Sequence, residues 1–250
     1  MIRRARPLLG TLVDIRTTAE PTAVTHAFEA VAQIHALMSF QDPASELSRL
    51  NRDAWREPVP VHPWTWRVLG AARWLHAHSG GAFDCTVCDD DGGARMDAVE
   101  LLAGRRVRFA RRLRLDLSGI AKGFAVDRAL DRLRRSAARG AVNAGGDLRV
   151  FGPDAEPVAV RDPDQPHAMR PLGTLSNGAF ATSAPYYSEH EGHWSVRDPQ
   201  HGGSPRRYRS VSVLAPTCLR ADALTKVVWV RGVEAAQPLL ARLRAEAIVL

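Results

Sequence analysis

The chain has 250 residues, room for one large domain or for two small lobes sharing a core. Its 45% hydrophobic and 24% charged residues suit a globular chain in water, and three cysteines are too few for a disulfide framework. A balance of 34 basic against 27 acidic residues, or +7, points to anionic partners. Yet the densest runs, "RRVRFARRLRL" and "DRLRRSAAR", interleave with apolar residues at strand and helix periods, as solvated faces do, so no nucleic acid is expected as partner.

The N-terminus, "MIRRARPLLGTLVDIRTT", is basic, lacks the apolar centre of a leader, and runs into a strand that alternates over 11–17. No apolar stretch approaches the length of a membrane span, and a cytoplasmic protein is expected. Residues 21–39 have helical spacing through Val24, Phe28, Val31, Ile34 and Met38 behind Pro21. Asp42-Pro43 then breaks the chain, and Ser45 can cap a short helix. A second long helix runs from Pro63 to a Gly80–Gly81 stop, with Trp64, Trp66 and Trp74 packing it onto a core and His76 and His78 at the surface. Cys85 and Cys88 have zinc-like spacing without a second pair and read as thiols. After the acidic loop "CDDDGGARMD", a strand reaches Asp116, Ser118–Gly119 turns, and a helix covers 120–138.

The second half is mostly strands: "GAVNAGGDLRVFG", "EPVAVRD", "LGTLSNGAFATSA", "GHWSVRDP" and "YRSVSVLAP". Helices at 218–231 and 234–244 and a terminal "EAIVL" strand close the chain. Strands clustered with flanking helices predict an α+β fold with a mostly antiparallel sheet, organised as a single domain over 1–250, with two intertwined lobes as the variant. Neither a GxGxxG nor a Walker loop is present.

Only two lysines, Lys122 and Lys226, survive in this arginine-rich chain. Lys122 lies in the first turn of a helix that follows "LDLSG", where backbone N–H groups and the positive helix end suit a phosphate. Gly119 and Gly123 allow close approach to the main chain, and Asp116 can accept from a ligand N–H or hydroxyl. The same residues also read as a plain helix with Ser118 as its cap. Asp222, Thr225 and Lys226 share one helical face. Asp and Thr oxygens are hard ligands suited to Mg²⁺, while Lys226 is equally placed for an i,i+4 salt bridge.

Together the segments resemble the FAD:protein FMN transferase (ApbE) family. The resemblance runs in order through "PLLGT", "MSFQDPASELSRLN", "SGGAFDCTV", "LDLSGIAKGFAVD", "VNAGGDLRVFG", "FATSAPYY", "RDPQHGGSP" and "ADALTKVVWVRG". It implies Mg²⁺-dependent cleavage of FAD, transfer of FMN to a Thr or Ser hydroxyl of a target flavoprotein, and release of AMP. Leu9, Gln41, Ala82, Phe83, Asp84, Asp116, Lys122 and Ser195 would then line FAD. The Gly119 carbonyl, Asp222 and Thr225 would face the metal.

The departures bear on mechanism. Ser195 stands where the family carries a candidate base, leaving His193 and His201 as displaced histidines, of which His193 is the candidate. Lys226 stands where the family's metal motif ends in threonine; its ammonium is expected to contact a phosphate oxygen and to supplement a weakly held Mg²⁺. Lys122, His193 and Lys226 are therefore the catalytic candidates. The rival readings are an FAD-binding protein without activity and an FAD diphosphatase.

Overall fold

Alternating apolar residues in strands of opposite direction can share one face, and strands from both halves of the chain use this to build a sheet against two helices. In a computed structural model the described residues are 1–86, 95–162, 165, 167–184, 196–201, 203, 205 and 207–250. The first half holds β1 (Ile2–Leu8), β2 (Thr11–Thr17), α1 (Pro21–Met38), α2 (Glu46–Asp53), β3 (Val59–Pro60) and α3 (Pro63–His78). A 3₁₀ turn (Met96–Ala98), β4 (Val99–Leu102), β5 (Arg106–Phe109) and α4 (Ser118–Leu133) follow. The second half holds β6 (Gly140–Ala144), β7 (Asp147–Phe151), β8 (Glu156–Arg161), β9 (Met169–Leu175) and β10 (Ala179–Ser183). It ends with β11 (Val211–Ala215), α5 (Cys218–Arg231), α6 (Val233–Leu243) and β12 (Glu246–Val249).

Seven strands form the main sheet in the order β1-β2-β6-β7-β10-β11-β12, every neighbouring pair antiparallel. The fold is α+β, as expected. On β7, Leu148 and Val150 point to one side, where they meet Val158, Val160 and Leu175 of the separate β8–β9 pair. Asp147 and Arg149 point to the other side, toward α4. The larger core lies on that helical side, and Trp64, Trp66 and Trp74 of α3 pack against it.

The helices α4 and α5 approach so closely that a Cβ on Gly123 would lie 2.3 Å from the Cys218 carbonyl oxygen. Each helix also completes the other. Asp127 of α4 accepts from the backbone N–H groups of Cys218 (2.8 Å) and Leu219 (3.1 Å), filling the open end of α5. In return the Gly123 N–H donates to Asp222 Oδ2 at 3.0 Å. Burial pushes the Asp127 carboxyl up, against the pull of Arg149 and of those two N–H groups.

Three local expectations differ from this structure. Residues 110–117 form no strand, although Leu113, Leu115 and Leu117 alternate inward. Their backbone is held by a side chain instead: Asn51 of α2 donates to the Leu115 carbonyl (2.9 Å) and accepts from its N–H (2.8 Å). Helix α4 begins at Ser118 and ends at Leu133, and its cap position is Leu117; Ser118 donates its N–H to Asp116 Oδ1 (2.8 Å). The basic N-terminal segment is itself a strand, β1, paired with β2. Of "GHWSVRDP", residues 192–195 lie outside the described residues, and 196–199 form no strand.

The tight crossing yields a direct test. Gly123→Ala must push α4 and α5 apart and should lower stability by about 1–3 kcal/mol in urea unfolding. An unchanged midpoint would contradict the contact with Cys218.

Candidate active site

A cleft of about 450 Å³ opens between the end of α1, the 39–41 segment, the β1–β2 turn and the start of α4. Its walls include Leu9, His35, Phe40, Gln41, Asp116 and Lys122. Leu9 and Gly10 both have positive φ, 57° and 69°, as a two-residue turn matching the strand twist requires. For a leucine this conformation costs on the order of 1 kcal/mol, and it sets Leu9 at the cleft. The 39–41 wall is fixed from below by the "SELSRLN" segment. Ser45 Oγ donates to the Ser39 carbonyl (2.6 Å) and Ser48 Oγ to the Asp42 carbonyl (2.7 Å), while Asn51 holds the segment that leads into Asp116. These serines and this asparagine are the frame of the cleft rather than its lining.

Behind the cleft four charges meet. Lys122 Nζ lies 3.2 Å from Asp147 Oδ2, and Asp147 is 1% exposed. Lys226 Nζ donates to Asp222 Oδ1 and, at 3.0 Å, to the Asp222 carbonyl; Asp222 is also 1% exposed. The stem of Lys226 runs over Gly119, where a Cβ would lie 3.4 Å from Lys226 Cε. Burial and the Asp222 charge push the Asp147 carboxyl up to about 7, against the pull of Lys122 and Lys226. Burial lowers the Lys122 ammonium, but Asp147 and Asp222 outweigh it and hold the group well above the usual lysine range. Both lysines thus act on one carboxylate, and the two spared ammonium groups converge. Cys218 nearby is buried among Asp147, Asp127 and Asp222, and its thiol is pushed up, away from thiolate chemistry.

The side-chain oxygens expected to face a metal are engaged. Asp222 Oδ1 takes Lys226 and Oδ2 takes the Gly123 N–H. Thr225 Oγ1 donates to the Asp222 carbonyl (2.7 Å) and bonds Ser183 Oγ (2.7 Å). Among the described residues no group of three or more His, Cys, Asp or Glu side chains is placed to hold a metal ion.

Residues 9–89 and 93–249 match the model of the ApbE family. The chain belongs to the ApbE family. It is 30% identical to the FAD:protein FMN transferase of Vibrio cholerae, over 91% of this chain and 80% of the relative. It is 27% identical to the FAD:protein FMN transferase of Haemophilus influenzae, over 88% and 76%. The solved flavin transferase ApbE of Vibrio cholerae has the same fold: TM-score 0.84 at 23% identity, covering 99% of this chain and 92% of that one. So does the ApbE protein of Thermotoga maritima, with TM-score 0.83 and 25% identity over 99% and 93%. No helix among the described residues is long and apolar enough to cross a membrane.

Within this ApbE chain, Leu9, Gln41, Asp116 and Lys122 are brought to one cleft. Ala82, Phe83 and Asp84 are not among the residues lining it; they form a buried turn below α3. There the Phe83 N–H donates to Ser79 Oγ (3.0 Å), and Asp84 accepts from the Thr86 N–H (2.8 Å) and hydroxyl (2.6 Å). His193 and Ser195 lie outside the described residues, as do Cys88 and the acids at 89–91. Two site residues were not foreseen. Asp147 follows from the alternation of β7, and His35 from its helical register with Met38, which lines the same cleft.

His76 is buried, not at the surface as its position near a helix end suggested. Its Nδ1–H donates to the Phe83 carbonyl (3.1 Å) and faces Asp84 Oδ2 (3.2 Å), while Nε2 lies 3.6 Å from Asp97. The hydrogen bond to Asp84 raises its pKa above the ordinary 6.5, against the opposing effect of burial. A raised folded value means that the stabilisation is complete below pH 6.5 and is lost as pH climbs through that folded value. The stability gap between wild type and His76→Gln should therefore narrow from pH 6 to pH 9 in urea titrations. A gap independent of pH would show that the imidazolium plays no part.

Proposed function

We propose that the chain transfers FMN from FAD to a threonine or serine hydroxyl of a target flavoprotein and releases AMP, using one domain that spans 1–250. The observation that carries this reading is the cleft. Four side chains expected against FAD line one cavity, with an ammonium and a helix N-terminus on its wall. Family membership supplies the reaction class.

In that reaction the acceptor oxygen bonds to the flavin-side phosphorus. The bond from that phosphorus to the bridging oxygen breaks, and AMP leaves with the oxygen and its electron pair. Phosphoryl transfer of this kind needs charge neutralisation and alignment more than covalent help. Lys122, kept protonated by Asp147 and Asp222, is a permanent positive charge facing the cleft. Leu9, Phe40 and Gln41 orient the dinucleotide, and Asp116 accepts from it. Ala82, Phe83 and Asp84 shape the site through their buried turn rather than by direct contact. The acceptor proton passes to His193 or, from the cleft wall, to His35.

Mg²⁺, expected from the resemblance on Gly119, Asp222 and Thr225, does not suit these residues as they stand. Their oxygens have the right hardness, but Asp222 already holds an ammonium. A divalent ion about 4 Å from one ammonium is repelled by roughly 8 kcal/mol at an effective dielectric of about 20.

The test uses FAD and a Thr-containing flavoprotein subunit as acceptor, reading AMP by chromatography and covalent flavin by in-gel fluorescence. Wild type should give both in equal amounts, and Lys122→Ala should slow AMP release about 100-fold. AMP and free FMN without covalent flavin would make the protein a diphosphatase, and FAD binding with neither product would make it a binder.

A further inference from the structure

We propose that Lys226 is a built-in counter-cation that takes the place of a divalent metal ion, so that FAD is cleaved between two ammonium groups, Lys122 and Lys226, in the absence of metal. This rests on the reading of the site as FAD-cleaving.

Three observations carry it. The first is occupancy. Lys226 sits on Asp222 Oδ1 and on the Asp222 carbonyl, so two of its three N–H donors are used inward and one is left to give. Asp222 itself is 1% exposed, whereas the Lys226 side chain keeps 20% of its surface open. The second is charge balance. Asp147 and Asp222 are matched by Lys122 and Lys226, and Asp147 feels both ammonium groups. A divalent ion would leave this buried cluster with excess positive charge. A diphosphate meets two ammonium groups already fixed in place. The third is fit. Gly119 has no side chain where the Lys226 stem crosses it, and Cε would lie 3.4 Å from any Cβ there. The Lys226 stem thus runs in ordinary contact range over the start of α4.

Chemically, the two lysines serve as hydrogen-bond donors. They donate to phosphate oxygens as the new bond from the acceptor oxygen to phosphorus forms and the bond to the AMP oxygen breaks. The departing AMP keeps that electron pair, and the acceptor proton goes to the histidine base of the transfer. A lysine does here what an arginine does poorly, because its charge is a compact point on a slender stem.

The experiment uses the full chain, with FAD affinity read from quenching of flavin fluorescence and cleavage from AMP release. Both are measured in excess EDTA and then across a Mg²⁺ titration. Wild type should show the same affinity and rate in both conditions within about twofold. Lys226→Thr, which frees Asp222 Oδ1, should lose about 100-fold in EDTA and regain activity with Mg²⁺. A wild type that needs Mg²⁺ for a tenfold or greater gain overturns the inference while leaving FAD cleavage standing. So does a Lys226→Thr variant that matches wild type in EDTA. Wild type that binds no FAD in either condition overturns the functional reading, and the inference falls with it. Should Lys226→Thr fail to fold, as circular dichroism would show, the wild-type comparison decides alone.

Discussion

Asp147 and Asp222 are carboxylates with almost no access to water, and each would be costly to bury unpaired. They are tolerated because Lys122 and Lys226 close the cluster electrically, and that pairing fixes three elements against one another. Asp147 belongs to β7, Lys122 to α4, and Asp222 with Lys226 to α5. The helices can come close enough only because residue 123 lacks a side chain against Cys218. Arg149 with Asp127 repeats the device further along the same strand and helix, and Asp127 also caps α5. The chemistry of the site and the packing of the core are therefore one arrangement.

The cleft on the other side of Lys122 is built differently. Two of its walls are a strained hairpin turn at Leu9 and the segment around Phe40 and Gln41, neither of which has regular structure to hold it. Side chains of the α2 region provide the rigidity: Ser45 and Ser48 tie the 39–42 backbone, and Asn51 ties the segment before Asp116 in place of a strand partner. A binding surface partly on loops is thus carried by a scaffold of half-buried hydrogen bonds.

The sequence was informative where a local rule decides the outcome. Helix α1 follows from its apolar spacing behind Pro21, α3 from Pro63 and the glycine stop, and α5 from Cys218 to Arg231. The convergence of Lys122 and Lys226, 104 positions apart by their numbers, was legible only as two lysines left in an arginine-rich chain. What escaped depended on partners distant in sequence. The alternation of Leu113, Leu115 and Leu117 reads as a strand, but Asn51 rather than a neighbouring strand satisfies it. His76 looked exposed because its acceptors, Phe83 and Asp84, lie beyond the glycine turn that folds them back. Asp147 drew no attention because its charge gains meaning only when β7 turns it toward α4.

The central claim is that both ammonium groups belong to one diphosphate site. Because the chain holds only two lysines, labelling lysine with ¹⁵N gives two ammonium resonances, assignable by Lys226→Thr. Titrating FAD into chelator-treated protein should move both signals with the same apparent affinity. Movement of the Lys122 signal alone, or of neither, would contradict the account.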